Sequence, residues 1–154
     1  MRLEHLGWDP IWARHFAEYA AADVFAARIV DEGRGALYRA LGENGETRAR
    51  LGGRARYQAL DTQQRPAVGD WVALVQRAGT DTATVLATLP RRSALLRQAA
   101  GTARVAQVLA TNIDYVLVMS SLNGDLNPGT STLVVDGSPA QRTPLRADLQ
   151  ALRG

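Results

Sequence analysis

Apolar positions near the start of the chain recur at helical spacing: Trp8, Trp12, Phe16 and Tyr19 fall on one stripe. Asp9 suits the N-cap, and Pro10 suits the first helical position, where its missing N–H costs nothing. This pattern predicts a helix that docks on a core. From Val24 the period shortens to two. VFAARIV, ALYRAL and ETRARL read as three short strands, separated by the turn compositions DEGRG and GENG. After a polar stretch, Ala59 to Arg65, DWVALVQ and TATVLATL read as two further strands joined by RAGTD. Trp71 to Val75 is apolar at every position, as expected of a strand covered on both sides.

Five short strands with glycine-rich turns predict a mainly β domain, closed or nearly closed into a small barrel. The five-stranded OB-fold is the leading candidate and an SH3-like barrel the alternative. The expected organisation is an N-terminal helical extension (1–22), the OB-fold barrel (23–90), a basic connector (91–111), and the truncated start of an α/β unit (112–154) opening with the apolar run DYVLVMSSL, Asp114 to Leu122. Within the connector, PRRSALLRQAAG is expected to be mobile or weakly helical.

Strand alternation places the side chains. In ETRARL, Arg48 and Arg50 share one face and Thr47, Ala49 and Leu51 the other. In ALYRAL, Leu37, Arg39 and Leu41 oppose Tyr38 and Ala40. Whether Arg39 joins Arg48 and Arg50 depends on register, which is not legible. OB-folds bind oligonucleotides on the face of strands 2 and 3. Arg39, Arg48 and Arg50, continued by Arg54 and Arg56 past Gly52-Gly53, would suit such a surface. Arg91, Arg92 and Arg97 on the connector would add contacts, because guanidinium groups bind phosphate bidentately and stack on bases. Tyr38 and Tyr57 are candidates for stacking, with a packing role at least as well supported.

Charge strengthens that picture. Residues 50–104 hold nine arginines against Asp61, Asp70 and Asp81, net +6, whereas the segments before and after are slightly acidic. An excess of this size points to an anionic partner. At 154 residues the chain has room for one ordinary domain and part of a second. It has no cysteine, which removes disulfides and thiolate metal sites, and His5 and His15 lack ligand-like partners, so no metal site is expected. No apolar run resembles a signal peptide or a membrane span, which predicts a soluble, cytoplasmic protein without membrane contact. All eighteen basic residues are arginine. Without lysine these residues build neither a P-loop nor a Schiff base. No serine, histidine and acid are suitably spaced, and no carboxylate pair stands out, so no catalytic residue is assigned.

The segments RPAVGDWVAL, LPRRSALLRQAAG and QVLATNIDYVLVMSSLNGDLN, with LGW near the N-terminus, occur in the order found in a known family. Over Leu6 to Asn127 the chain resembles the ribosome small subunit-dependent GTPase A family, the circularly permuted GTPases of bacterial small-subunit assembly. The resemblance implies an N-terminal OB domain on 16S rRNA of the small ribosomal subunit, then a GTPase domain, then a zinc domain. GTP, magnesium and zinc would belong to full-length members, and no cofactor is expected in this chain. After Asn127 the pattern is lost: the tail reads PGTSTLVVDGSPAQRTPLRADLQALRG, with neither Asn-Lys-x-Asp nor Gly-Lys-Ser. GDLNPGTS, Gly124 to Ser131, has P-loop spacing, but Thr130 stands where the lysine must be. STLVV reads as a strand, and Leu145, Leu149 and Leu152 as one side of a short helix. A truncation, deletion or frame change is the expected origin of this tail.

The leading reading is thus the rRNA-binding portion of a small-subunit maturation GTPase, inactive in hydrolysis by itself. Alternatives are a protein-binding OB or SH3-like module, a GTPase after all, and an inactive fragment.

Overall fold

A computed structural model of the chain describes residues 1–53, 65–98 and 106–115. Helix α1 (Pro10–Phe16) begins as expected: the Asp9 carboxylate accepts the backbone N–H groups of Ile11 and Trp12, and Pro10 occupies the first turn. A 3₁₀ turn, Leu3–Leu6, precedes it and another, Ala17–Tyr19, extends it.

Five strands follow: β1 (Val24–Gly33), β2 (Leu37–Gly42), β3 (Gly45–Leu51), β4 (Trp71–Val75) and β5 (Thr82–Thr88). They close in the order β1-β2-β3-β5-β4, with β3 and β5 parallel and every other pair antiparallel. This is the Greek-key barrel of the OB-fold; an antiparallel SH3-like meander would contain no parallel pair. Strand β1 serves two neighbours. Val24 to Arg28 pair with β4, Ala27 to Gly33 pair with β2, and a bulge at Val30 interrupts the β2 pairing and bends the strand there.

The barrel interior alternates small and large residues, as a narrow barrel requires. Ala27, Ala40, Ala49 and Ala83 interleave with Ile29, Tyr38, Val72, Leu74 and Val85, all essentially inaccessible. The outer side of β1 and β4 carries a second cluster, in which Leu3, Trp12, Ala26, Trp71 and Leu89 are buried under α1, with Trp8, Phe16 and Tyr19 at its margin. The Trp8 and Trp71 rings meet edge to face at 4.7 Å. Strand β4 is therefore covered on both faces, which explains its uninterrupted apolar run.

Tyr38 is a core residue, which corrects its candidacy as a stacking platform. Its hydroxyl is buried without a hydrogen-bond partner among the described residues, and burial, then repulsion from Glu32, pushes its pKa above the usual phenol value. An unpaired buried hydroxyl is a net cost that an apolar group of the same shape avoids. Tyr38→Phe is expected to raise stability by about 1 kcal/mol, read as a higher urea midpoint. A loss of similar size would show that the hydroxyl has a partner.

The connector is also corrected. Ala94–Gln98 forms strand β6, paired antiparallel with β7 (Ala106–Thr111) as a separate two-stranded sheet. The SALLRQ composition favours helix locally, but cross-strand pairing and burial of Ala94 and Thr111 against the barrel override that preference. Asp114 and Tyr115 carry no strand. The rest of the strand expected at Asp114 to Leu122, the Gly124–Ser131 segment and the tail's strand and helix lie outside the described residues.

Candidate nucleic-acid interface

Register settles where Arg39 points. It pairs with Arg48, and Leu37 pairs with Arg50, so all three arginines lie on the outer face of β2 and β3 while Tyr38, Ala40 and Ala49 point inward. Like charges facing each other across an antiparallel pair are destabilising. Acids relieve this one: Arg39 donates Nε–H and an Nη2 N–H to the two Glu46 oxygens at 3.0 and 3.2 Å, and Asp31 stands 3.7 Å away. Arg48 and Arg50 remain exposed, and among the described residues no carboxylate pairs with either. On the parallel side Arg48 aligns with Thr82 and Arg50 with Thr84, so a threonine flanks each guanidinium-bearing position. The loops β1–β2 and β4–β5 add the exposed Arg34 and Arg77.

Arg91 and Arg92 have a different setting. Arg91 makes a bidentate pair with the inaccessible Asp70, through Nε at 2.9 Å and Nη2 at 2.7 Å, and Nη2 also donates to the Arg65 carbonyl. Arg92 donates to both oxygens of Asp9, the helix N-cap, and its guanidinium lies 4.5 Å from the Trp12 ring. That pairing holds the Asp9 carboxyl below the usual carboxylate range. Both arginines fasten the chain to itself. Arg97 lies within β6; Arg54, Arg56 and Tyr57 lie outside the described residues.

Sequence reasoning missed Arg28. It is half-buried, and its guanidinium donates to the carbonyls of Leu6, Gly69 and Asn112, tying the N-terminal segment, the β4 entry turn and the end of β7 together. Burial lowers its pKa from the usual guanidinium value, opposed by the carboxylates of Asp114 and Asp70. The available signal was its place as the single charge inside the apolar run VFAARIV. Asn112 completes the knot: its side chain donates to the Gly69 carbonyl and accepts the Arg92 backbone N–H. A polar cleft of ≈ 90 Å³ opens beside these groups, between Arg28 and Arg92 and reaching Ser93 and Asp114. Among the described residues there is no cluster of three or more potential metal ligands, and no helix long and apolar enough to cross a membrane.

No protein-family model matches the chain. Individual proteins do. The small ribosomal subunit biogenesis GTPase RsgA of Syntrophotalea carbinolica is 37% identical over 137 residues, covering 83% of this chain and 36% of that protein. Its namesake from Opitutus terrae is 38% identical over 135 residues, 82% of this chain and 36% of the relative. The Streptomyces avermitilis protein of the same name is 36% identical over 123 residues, 80% and 32% respectively. The chain thus spans about a third of the length of these curated relatives. A crystal structure of YjeQ from Thermotoga maritima aligns with a TM-score of 0.43 at 19% identity, over 59% of this chain and 28% of that one.

Proposed function

We propose that this chain, a relative of the N-terminal part of the small ribosomal subunit biogenesis GTPases, docks on ribosomal RNA of the small subunit through the outer face of its barrel. One observation carries the reading: Arg48 and Arg50 stand exposed on β3 with no carboxylate partner among the described residues, on the face by which OB barrels bind oligonucleotides. Arg39 contributes more weakly, because Glu46 and Asp31 already neutralise it. Arg54 and Arg56, which come after β3 in sequence, and Arg97, within β6, remain candidates. Arg91 and Arg92 are left out, since their guanidinium groups hold the fold together. Nucleotide hydrolysis is not part of this reading. The P-loop and the guanine-recognition motif each require a lysine, and these 154 residues contain none.

The test is binding of the purified chain to small ribosomal subunits across a salt series, beside the double substitution Arg48→Ala, Arg50→Ala. Both side chains are exposed, so the thermal midpoint should stay where it is. Binding should weaken with salt, and losing two phosphate contacts should flatten the slope of log K against log salt by about 1.4 to 1.8. Salt-insensitive binding, unchanged in the double variant, would point to a protein-binding barrel instead.

A further inference from the structure

Arg28 holds a charge that no contact answers. Its guanidinium is half-buried, and its hydrogen bonds all end on backbone carbonyls, those of Leu6, Gly69 and Asn112. A carbonyl satisfies an N–H but supplies no countercharge, and charges withdrawn from water are normally paired. Among the described residues no carboxylate lies within ion-pair distance of it. Asp70, the buried acid that acts on Arg28, accepts from Arg91 and Thr111, and Asp9 is taken by Arg92 and the first turn of α1. Asp114 attracts Arg28 only through space, and it is exposed, so water screens it.

The same guanidinium faces the cleft of ≈ 90 Å³. A guanidinium carries five N–H groups; with Nε and one hydrogen of each terminal nitrogen spent, one N–H remains on Nη1 and one on Nη2. Gly7 lines the cleft without a side chain, and a Cβ there would stand 3.2 Å from Nη1. Arg92 lines it too. It spends Nη2 on Asp9 and keeps Nε and Nη1 without a partner among the described residues. The Ser93 hydroxyl, held only by a 3.4 Å bond to the Ile113 carbonyl, can turn to a ligand. Free donors thus outnumber free acceptors around this space.

We propose that the cleft is a binding site for a small carboxylate, held by the terminal N–H groups of Arg28 with Arg92 and Ser93 beside it. Size sets the ligand: a water occupies about 30 Å³, so ≈ 90 Å³ suits the anion of an acid of two or three carbons. Shape agrees, because a guanidinium fork matches a planar carboxylate bidentately. Charge sets the valence. Asp114 lines the same cleft, and its negative charge weighs more against a dianion such as phosphate than against a monoanion. Asp114 is therefore a built-in competitor for Arg28. The site lies between the N-terminal segment, β1 and the ends of the β6–β7 sheet, apart from the face of Arg48 and Arg50, and it stands or falls independently of RNA docking.

The experiment titrates the isotope-labelled full chain with acetate at neutral pH, with sodium chloride holding the ionic strength constant, and follows it by NMR. The backbone amides of Gly7, Ser93 and Asn112 and the Arg28 Nε–H should shift along one saturable curve with millimolar half-saturation. Acetamide, the neutral isostere, should move none of them, and phosphate should bind less tightly than acetate. Asp114→Asn, a change at an exposed carboxylate, should lower the half-saturation concentration about fivefold by removing a like charge. Ser93→Ala should raise it about threefold by removing a donor. Shifts that do not saturate, equal shifts with acetamide, or tighter binding of phosphate would overturn the carboxylate assignment. Saturable acetate binding that Asp114→Asn leaves unchanged or weakens would overturn its location in this cleft.

Discussion

Asp70→Ala should cost about 3–5 kcal/mol of folding stability, the range for removing one partner of a buried ion pair. The Asp70 side chain is inaccessible, and four donors converge on it: the Ala67 backbone N–H at 2.8 Å, Arg91 Nε and Nη2 at 2.9 and 2.7 Å, and the Thr111 hydroxyl at 2.7 Å. Alanine removes this acceptor from all four, leaving Arg91 Nη2 the Arg65 carbonyl and the Thr111 hydroxyl the Val68 carbonyl at 3.3 Å. Arg91 is only one-fifth exposed, so its charge does not simply return to water. A domain of this size has only about 5–15 kcal/mol in hand, so the loss is a large part of the total. Asparagine is a poor substitute, because every partner is a donor and the amide NH₂ would face two of them whichever oxygen it replaced. Urea unfolding of Asp70→Ala, Arg91→Ala and the double variant tests the assignment. The double variant should lose less than the two singles added together, by about 1–3 kcal/mol. A loss below about 1 kcal/mol in Asp70→Ala would mean that the pair is not the clasp described above.

Gly69→Ala should be nearly as damaging for a different reason. Gly69 has φ +97°, and a Cβ built there would sit 1.9 Å from the Thr111 carbonyl oxygen. Left-handed geometry alone costs an alanine about 1–2 kcal/mol. The clash adds to it, and only moving β7 off the turn relieves it. That movement breaks the Thr111 N–H bond to the Val68 carbonyl and the Thr111 hydroxyl bond to Asp70. The summed expectation is about 3 kcal/mol or more. Gly79 is the control: its φ is +80°, with open space where a Cβ would go, so Gly79→Ala should show the conformational cost alone, about 1–2 kcal/mol. Equal effects at the two glycines would show that the close approach to Thr111 carries no energy.

Much of the fold was legible because its signals are local. Asp9 and Pro10 announce α1, and short strand-like runs, alternating in some and apolar throughout in β4, announce all five barrel strands to within a residue or two except at the far end of β1. The connector was misread because its composition favours helix and β6 finds its pairing partner, β7, only across residues 99–105. The candidate site was legible only in part. Alternation placed Arg48 and Arg50 on one face, but the bulge at Val30 and the register that brings Arg39 opposite Arg48 leave no mark in composition. Tyr38 looked as eligible for stacking as for packing until the barrel closed over it.

The sequence alone determined that this is a lysine-free, arginine-rich β domain able to build a small barrel but no P-loop, since side-chain chemistry and strand period are properties of short stretches. Only the tertiary structure decided which arginines acquire a carboxylate partner. Arg48 and Arg92 are chemically identical and both lie in basic, exposed-looking sequence. Arg92 is claimed by Asp9 from 83 positions away and Arg91 by Asp70 from 21, while the carboxylates near Arg48 are taken by Arg39. A guanidinium is available to a phosphate only where folding brings no carboxylate within hydrogen-bonding reach.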